Sequence, residues 1–207
     1  MPTVCFLDND AILKLVAANL FCPAISSLGL TQADLRVLPT AKFYFRQSRR
    51  LKKVYPESLL QRTLEVVNAC AALTPTVDEE LQRLQVVEGI DPGEEVLIVA
   101  TKTEPSFYLV TGDKCCLTAL ATAGELQDIR GRLKGRVICV EQLILRVIET
   151  QGFELVLTKV LPARDYDTAL KSIFGSGEKA TRENVLLSLE AYIQDLRQVT
   201  EGLLADL

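Results

Sequence analysis

The sequence predicts an α/β fold: a three-layer α/β/α arrangement around a mainly parallel sheet, with a helical extension at the C-terminus. Short apolar segments typical of buried strands alternate with longer segments of helical periodicity, and this alternation indicates a parallel sheet. The chain of 207 residues, 48% of them hydrophobic, is long enough to bury a substantial core. We expect one α/β domain over residues 1–161 and the helical extension over residues 162–207.

The first predicted elements are a strand and the helix that follows it. Val4–Leu7 is a short apolar strand, and apolar residues at helical spacing predict a helix over 11–20. The stretch 23–38 indicates only a short helix that Thr31 is expected to cap. A longer helix is predicted from Pro56 onward, because proline suits the first helical turn.

Two capping-box signatures predict helix starts in the middle of the chain. Thr76 is followed three residues later by Glu79. Asp91 is followed by Pro92, which suits the first helical position, and then by Glu94 at the third position. The second signature begins a helix that contains "EEVLIVATK".

The C-terminal half contains two predicted units of a strand followed by a helix. In "FYLVTGDKCCLTALATAG" a sharp turn separates strand and helix, and Asp113 lies just past the strand. "GRVICVEQLILRVIETQG" gives another strand and helix, and "FELVL" is predicted as a final strand. These units complete the alternation that defines the fold class.

A single long helix is predicted over 182–207, after a Gly/Ser-rich turn. Its apolar residues alternate spacings of four and three, which is an a/d seam of nearly three heptads. The seam consists of Val185, Leu189, Tyr192, Leu196, Val199 and Leu203. We expect it to dock on the chain's own domain; a homodimer or partner-protein seam is the alternative.

Composition restricts the kind of protein and of active site. The net charge of −4 gives no global attraction to nucleic acid, so such a partner needs a local basic patch. No stretch reaches the roughly eighteen apolar residues that span a bilayer. The six cysteines form no C-x-x-C pair and lie largely in apolar runs, which favours reduced thiols and a cytoplasmic protein. The absence of histidine argues against a mixed zinc site and against histidine-based nucleophile activation.

Acidic residues follow two of the predicted strands. Asp8 comes directly after the first strand, Asp10 two residues later, and Asp113 after the strand in "FYLVT". Because the carboxyl ends of parallel strands meet at one sheet edge, Asp8 and Asp113 are expected to lie close together. Carboxylates held together favour a divalent cation, and Mg²⁺ and Mn²⁺ prefer oxygen ligands. Asp10 either belongs to this predicted metal site or only caps the following helix.

These acidic motifs resemble those of the PIN-domain nucleases over roughly residues 3–160. The resemblance rests on three segments: "FLDND" before an apolar helix, then "DPGEEVLIVATK", then "FYLVTGDKCCLTALA". The family pattern has an Asp after the first strand, a central Glu, an acid opening a later helix, and a T-x-D after the fourth strand. By this resemblance Asp8 is the first acid and Asp113 the last. The helix-opening acid is Glu94 or Glu95.

The resemblance implies a metal-dependent endoribonuclease, a hydrolase that cleaves RNA phosphodiester bonds with Mg²⁺ or Mn²⁺ as cofactor. It makes Asp8, Glu94 and Asp113 catalytic, and it places the central acid at Glu57 or Glu65. Its candidate metal ligands are Asp8, Asp10, Glu65, Glu94, Glu95 and Asp113. The chain departs from the family pattern at Asp10, where Asn is usual, at the helix-opening Glu, where Asp is commoner, and at Cys116, where many members have a further acid. Many members are toxins held by an antitoxin, often as dimers, so an antitoxin or a homodimer is an expected partner.

Two basic stretches are candidate RNA contacts. "AKFYFRQSRRLKKVY" combines basic residues with aromatic rings that can stack on unpaired bases, and the alternative is a solvated basic face whose aromatics belong to the core. A second cluster around 130–136 is expected to flank the acidic sheet edge, and an ordinary charged loop is its alternative. The candidate RNA-binding residues are Lys42, Arg46, Arg49, Arg50, Lys52, Lys53, Arg132 and Arg136.

Two other functions fit part of the pattern. A haloacid-dehalogenase-type phosphatase also begins with a strand followed by Asp-x-Asp, and it would use Asp8 as nucleophile and Asp10 as acid/base. "VTGDK" resembles the Gly-Asp magnesium motif of that family, but Leu117 stands where its second acid is expected. The other alternative is a catalytically inactive PIN-like scaffold that binds RNA or a protein partner.

Overall fold

The fold is α/β, as the sequence predicts. A computed structural model describes residues 3–75 and 78–207. Helices cover a five-stranded sheet in a three-layer α/β/α arrangement, and every described strand pair is parallel. The strands are β1 (Val4–Leu7), β2 (Leu35–Val37), β3 (Ala71–Ala72), β4 (Phe107–Thr111) and β5 (Val137–Cys139).

The strand order is β3-β2-β1-β4-β5. The strands β2 and β3 thus follow on one side of β1, and β4 and β5 on the other side. All four residues of β1 are buried, because strands pair with it on both sides and helices cover it. The direction of strand order reverses between β1 and β4. In open parallel sheets this reversal leaves a crevice at the carboxyl ends of the two strands, where ligands bind.

Helices connect the strands and supply most of the core. Apolar faces of the helices pack on the sheet; within β1 and β4, Phe6 and Phe107 meet edge to face with ring centroids 6.0 Å apart. The described α-helices are α1 (Asn9–Ala17), α2 (Phe21–Ser27), α3 (Ala41–Gln47), α4 (Arg49–Val54), α5 (Glu57–Ala69), α6 (Glu79–Leu84), α7 (Pro92–Ala100), α8 (Lys114–Thr122), α9 (Gln127–Leu133), α10 (Val140–Gln151), α11 (Phe153–Val160), α12 (Thr168–Ile173) and α13 (Arg182–Val199).

The C-terminal helix docks on its own chain. Val185, Leu189 and Leu196 are buried in the common core, where α13 contacts α8, α10 and α12. The prediction of one helix to residue 207 is wrong, because α13 ends at Val199. The chain then turns and runs beside β5, where the N–H of Ala205 donates to the carbonyl of Val137 over 2.7 Å.

Three other local predictions need correction. "FELVL" is not a strand but part of α11, because Phe153, Val156, Leu157 and Val160 recur at helical spacing and are all buried. The first helix ends at Ala17 rather than residue 20. The predicted cap Thr76 lies outside the described residues, and Asp78 caps α6 by accepting from the N–H of Glu80 over 2.8 Å.

No single helix in the described part of the chain is long and apolar enough to cross a membrane. Among the described helices, α1 and α2 taken together reach that length and composition, but they are bent by 112° at their junction.

Candidate functional site: an acidic cleft beside two basic helices

A cleft of about 680 Å³ lies at the carboxyl ends of β1 and β4, where the strand order reverses. We call it the acidic cleft, because five carboxylates line it: Asp8, Asp10, Asp91, Glu94 and Asp113. Asp8 follows β1 directly and Asp113 follows β4 by two residues. The structure thus brings Asp8 and Asp113 to one site from positions more than a hundred residues apart.

Three helices begin at the acidic cleft, and each begins with a capping Asp. The Asp8 carboxylate accepts from the N–H of Asp10 over 3.1 Å, and Asp91 accepts from the N–H of Glu94 over 2.9 Å. Asp113 accepts from the N–H of Cys115 over 2.7 Å. The helices α1, α7 and α8 therefore direct their partly positive N-terminal ends toward the cleft, which stabilises negative charge there.

Burial and mutual repulsion make ionisation of two of these acids unfavourable. Burial, followed by the charge of Asp10, raises the pKa of Asp8 to about 6. Burial also raises the pKa of Glu94 to about 8, and the nearby charges of Asp91, Asp113 and Asp8 add to the shift. A bound cation would relieve this repulsion.

Asp10 lines the cleft but does not cap the helix. The alternative in which Asp10 only caps this helix is wrong, because the helix begins at Asn9, two residues earlier than that alternative requires, and Asp8 caps it. The Asp10 carboxylate instead forms an ion pair with Lys14 at 2.8 Å, and Lys14 also contacts Asp167 at 3.1 Å. A Cβ at Gly112 would lie 3.0 Å from the Asp10 carboxylate and 3.2 Å from the Lys14 ammonium. Glycine therefore allows the turn after β4 to pass close to this ion pair.

Of the two neighbouring glutamates Glu94 and Glu95, only Glu94 lines the acidic cleft in the described structure. The Glu94 carboxylate faces the cleft and accepts from the N–H of Asp91 over 2.9 Å, which completes the predicted capping box. Glu95 is also buried, but it does not line the cleft. Cys116 lies behind the cleft beside Glu94, and burial raises the pKa of its thiol well above the ordinary value, so this position supplies no charge.

Neither candidate for the central acid reaches the acidic cleft. Glu65 is an exposed residue of α5 that lines a different groove, together with Arg62 and Lys159. Glu57, at the start of α5, lines a third groove. The interpretation of Glu65 as a ligand of the Asp8 site is therefore wrong for this arrangement, because α5 directs that side chain away from the carboxyl end of β1. The acids that line the cleft with Asp8 and Asp113 are Asp10, Glu94 and Asp91.

The side chains of the cleft are of the kind that binds a hard divalent cation, but in the described structure they are not yet close enough to one another. Within residues 3–75 and 78–207, no three cysteine, aspartate or glutamate side chains are close enough to hold one metal ion. The chemistry of the cleft nevertheless suits such an ion, since carboxylates are its preferred ligands. The side-chain oxygen Oδ1 of Asn9, which also lines the cleft, is buried with no hydrogen-bond partner in the described structure. The oxygen atoms of the cleft are therefore the right type of ligand for a divalent cation, but the carboxylates must move closer together to bind one.

A basic surface borders the acidic cleft. We call α3 and α4 the basic helix pair, since they carry the six basic residues of the first predicted stretch. In the described part of the chain none of these six forms an ion pair, and all but the half-buried Lys42 are exposed. Arg50 and Phe43 line the acidic cleft, and the Phe43 side chain is 62% exposed. Phe45 is a buried core residue, as the alternative of a solvated basic face predicts, whereas Phe43 is exposed.

The second basic cluster does not flank the acidic cleft. Arg136 precedes β5 and so lies at the amino edge of the sheet, where its guanidinium donates to the carbonyl of Pro105 over 3.0 Å. Arg132 forms an ion pair with the buried Glu80 at 2.7 Å and donates to the Thr101 hydroxyl over 3.0 Å. The prediction that this cluster flanks the acidic cleft is wrong, because Arg136 precedes a parallel strand and therefore lies at the amino end of that strand. The role of Arg132 and Arg136 as RNA contacts stays a prediction.

Sequence reasoning missed two residues of the site. It assigned Asp91 to capping alone, although Pro92 and Glu94 indicated that a helix would begin there, and it gave Asn9 no role.

Comparison with protein-family models, with curated proteins and with solved structures finds no match for this chain. The PIN-domain resemblance and the partners that it implies therefore stay predictions.

Proposed function

We propose that the protein is a metal-dependent ribonuclease whose active site is the acidic cleft. The observation that carries the proposal is the convergence of Asp8, Glu94 and Asp113 at the carboxyl ends of two parallel strands, beside basic side chains that form no ion pair in the described part of the chain. Acidic ligands for a cation and basic side chains for a phosphate backbone are the two requirements of metal-assisted phosphodiester hydrolysis.

The residues of the cleft divide this work between them. Asp8, Glu94 and Asp113 would hold Mg²⁺ or Mn²⁺, with the Asn9 side-chain oxygen as a neutral donor. When bound there, such an ion would supply an activated water molecule and positive charge that stabilises the phosphodiester. Arg50 at the rim binds the phosphate backbone, and the exposed ring of Phe43 stacks on an unpaired base. Asp10, already paired with Lys14, contributes less charge to the ion.

A cleavage assay with single-stranded RNA and Mn²⁺ tests the proposal. Asp8→Asn and Asp113→Asn should each reduce the rate by at least about a hundredfold, while both helices stay capped because Asn caps as well as Asp. Glu94→Gln should be equally impaired. Its matched control is Glu95→Gln, one residue along the same helix and outside the cleft, which should keep near wild-type activity. Undiminished cleavage by Asp8→Asn and Asp113→Asn would contradict the proposal.

Two observations favour other functions, an inactive scaffold and a phosphatase, which the same assay can distinguish. Because no three donors are within ligating distance in the described structure, an inactive scaffold is the second candidate, and it predicts RNA binding with no cleavage by the wild type. Asp8 and Asp10 both line the cleft, so the phosphatase reading predicts hydrolysis of a small phosphomonoester that is lost in Asp10→Asn. Running both substrates on the same variants separates the three functions.

A further inference from the structure

The groove that Glu57 lines, of about 420 Å³, lies on the other side of the basic helix pair, against α5. Its charged rim contains Arg46 from α3 and Lys52 from α4, and Glu57 is the one acid among its described lining residues. Both basic side chains are exposed and, in the described structure, free of ion pairs. Buried Leu60 and the half-buried ring of Tyr55 form part of its wall.

The groove and the acidic cleft are divided only by the basic helix pair. On α3, Tyr44 lines the cleft and the next residue, Phe45, lines the groove, with their ring centroids 5.3 Å apart. On α4, Arg50 lines the cleft and Lys52 lines the groove. Residues two apart on a helix point to nearly opposite sides, since successive residues are rotated by about 100°. A chain molecule that crosses the exposed surface of α4 can therefore contact both sites.

We infer that this groove is a second nucleotide-binding subsite, which holds the flank of a single-stranded nucleic acid whose reacting phosphodiester lies in the acidic cleft. The placement of the nucleic acid in the acidic cleft rests on the proposed function. The binding of nucleotides in the groove rests on the basic side chains at its rim and on its apolar and aromatic wall. Arg46 and Lys52 bind phosphates, and the apolar and aromatic wall accepts a base. A base inside a duplex is stacked between its neighbours and cannot enter such a groove, so the subsite selects unpaired strands.

Equilibrium binding of a fluorescent single-stranded RNA of about ten nucleotides, in EDTA, tests this inference without requiring catalysis. The double variant Arg46→Ala/Lys52→Ala should bind about tenfold more weakly. The slope of log affinity against log salt should fall in magnitude by about 1.4, because each phosphate contact to a single strand contributes about 0.7. The matched control is Lys134→Ala/Lys171→Ala, which removes two exposed basic side chains outside both sites and should bind as the wild type does.

The groove inference is overturned if the two double variants lose affinity equally, if the groove variant binds normally, or if duplex RNA binds as tightly as the single strand. Single-stranded DNA of the same sequence shows whether the 2′-hydroxyl contributes to binding. Groove-dependent binding by a wild type that never cleaves would refute the proposed ribonuclease and leave the subsite standing. Cleavage that needs Asp8 but is insensitive to Arg46→Ala/Lys52→Ala in both rate and affinity would refute the subsite alone.

Discussion

Asp8, Asp91 and Asp113 each cap a helix and also line the acidic cleft, so capping and ligand binding are not alternatives at these positions. A carboxylate has two oxygens and several lone pairs, and a cap uses only some of them. Sequence reasoning could predict that Asp8 and Asp113 would meet, because both follow strands. It could not predict the ion pair of Asp10 with Lys14 and Asp167, because Asp167 belongs to a segment without a recognisable motif.

Glu94 gives a pH-dependent prediction for the metal-free protein. Its pKa is about 8 in the folded state against an ordinary value of 4.5, so the folded state holds this proton more tightly. The resulting stabilisation is fully present below the ordinary pKa and is lost as the pH rises through about 8. Glu94→Gln mimics the protonated form and should raise the free energy of unfolding by up to about 5 kcal/mol above pH 8 in EDTA, with little change near pH 4.

Urea denaturation at several pH values measures this effect. Glu65→Gln, which replaces an exposed carboxyl of α5 outside the cleft, is the matched control and should show no such pH-dependent gain. A Glu94→Gln variant that is less stable than the wild type at high pH would contradict the electrostatic description of the cleft.

The elements that sequence predicted best are those whose periodicity is long or whose ends are chemically marked. The helix α7 begins at its predicted capping box, and β4 and β5 lead into α8 and α10 as expected. The strands β2 and β3 were missed, because three and two residues are too few to show alternation. The C-terminal segment was predicted too long, because residues 200–207 include apolar Leu203 and Leu204, which are buried against β5 rather than on a helix.

Docking of α13 predicts a contrast between two of its leucines. Leu189 is fully buried against the chain's own core, and Leu187 is 66% exposed. Leu189→Ala should reduce the free energy of unfolding by about 2–5 kcal/mol, because it leaves a cavity in the core. Leu187→Ala should change the free energy of unfolding by no more than about 0.5 kcal/mol. Chemical denaturation of both variants checks this, and equally small effects would contradict docking.

The whole molecule explains why the site could be predicted only in part. The strand order places the ends of β1 and β4 side by side, so acids distant in sequence converge there. The same topology places Arg136 at the opposite sheet edge, because Arg136 precedes a parallel strand whereas Asp8 and Asp113 follow one. The helix α5 likewise carries Glu65 to a separate groove. The sequence could therefore predict that Asp8 and Asp113 meet, because both follow parallel strands. It could not predict which way the side chains of a helix such as α5 point.

The central claim, that the acids of the cleft together bind a divalent cation, is tested most directly by calorimetric titration with Mn²⁺. The wild type should bind Mn²⁺, and Asp8→Asn and Asp113→Asn should each bind at least about tenfold more weakly, because each loses a charged ligand while its helix cap is kept. Equal heats and affinities for the wild type and both variants would contradict the claim.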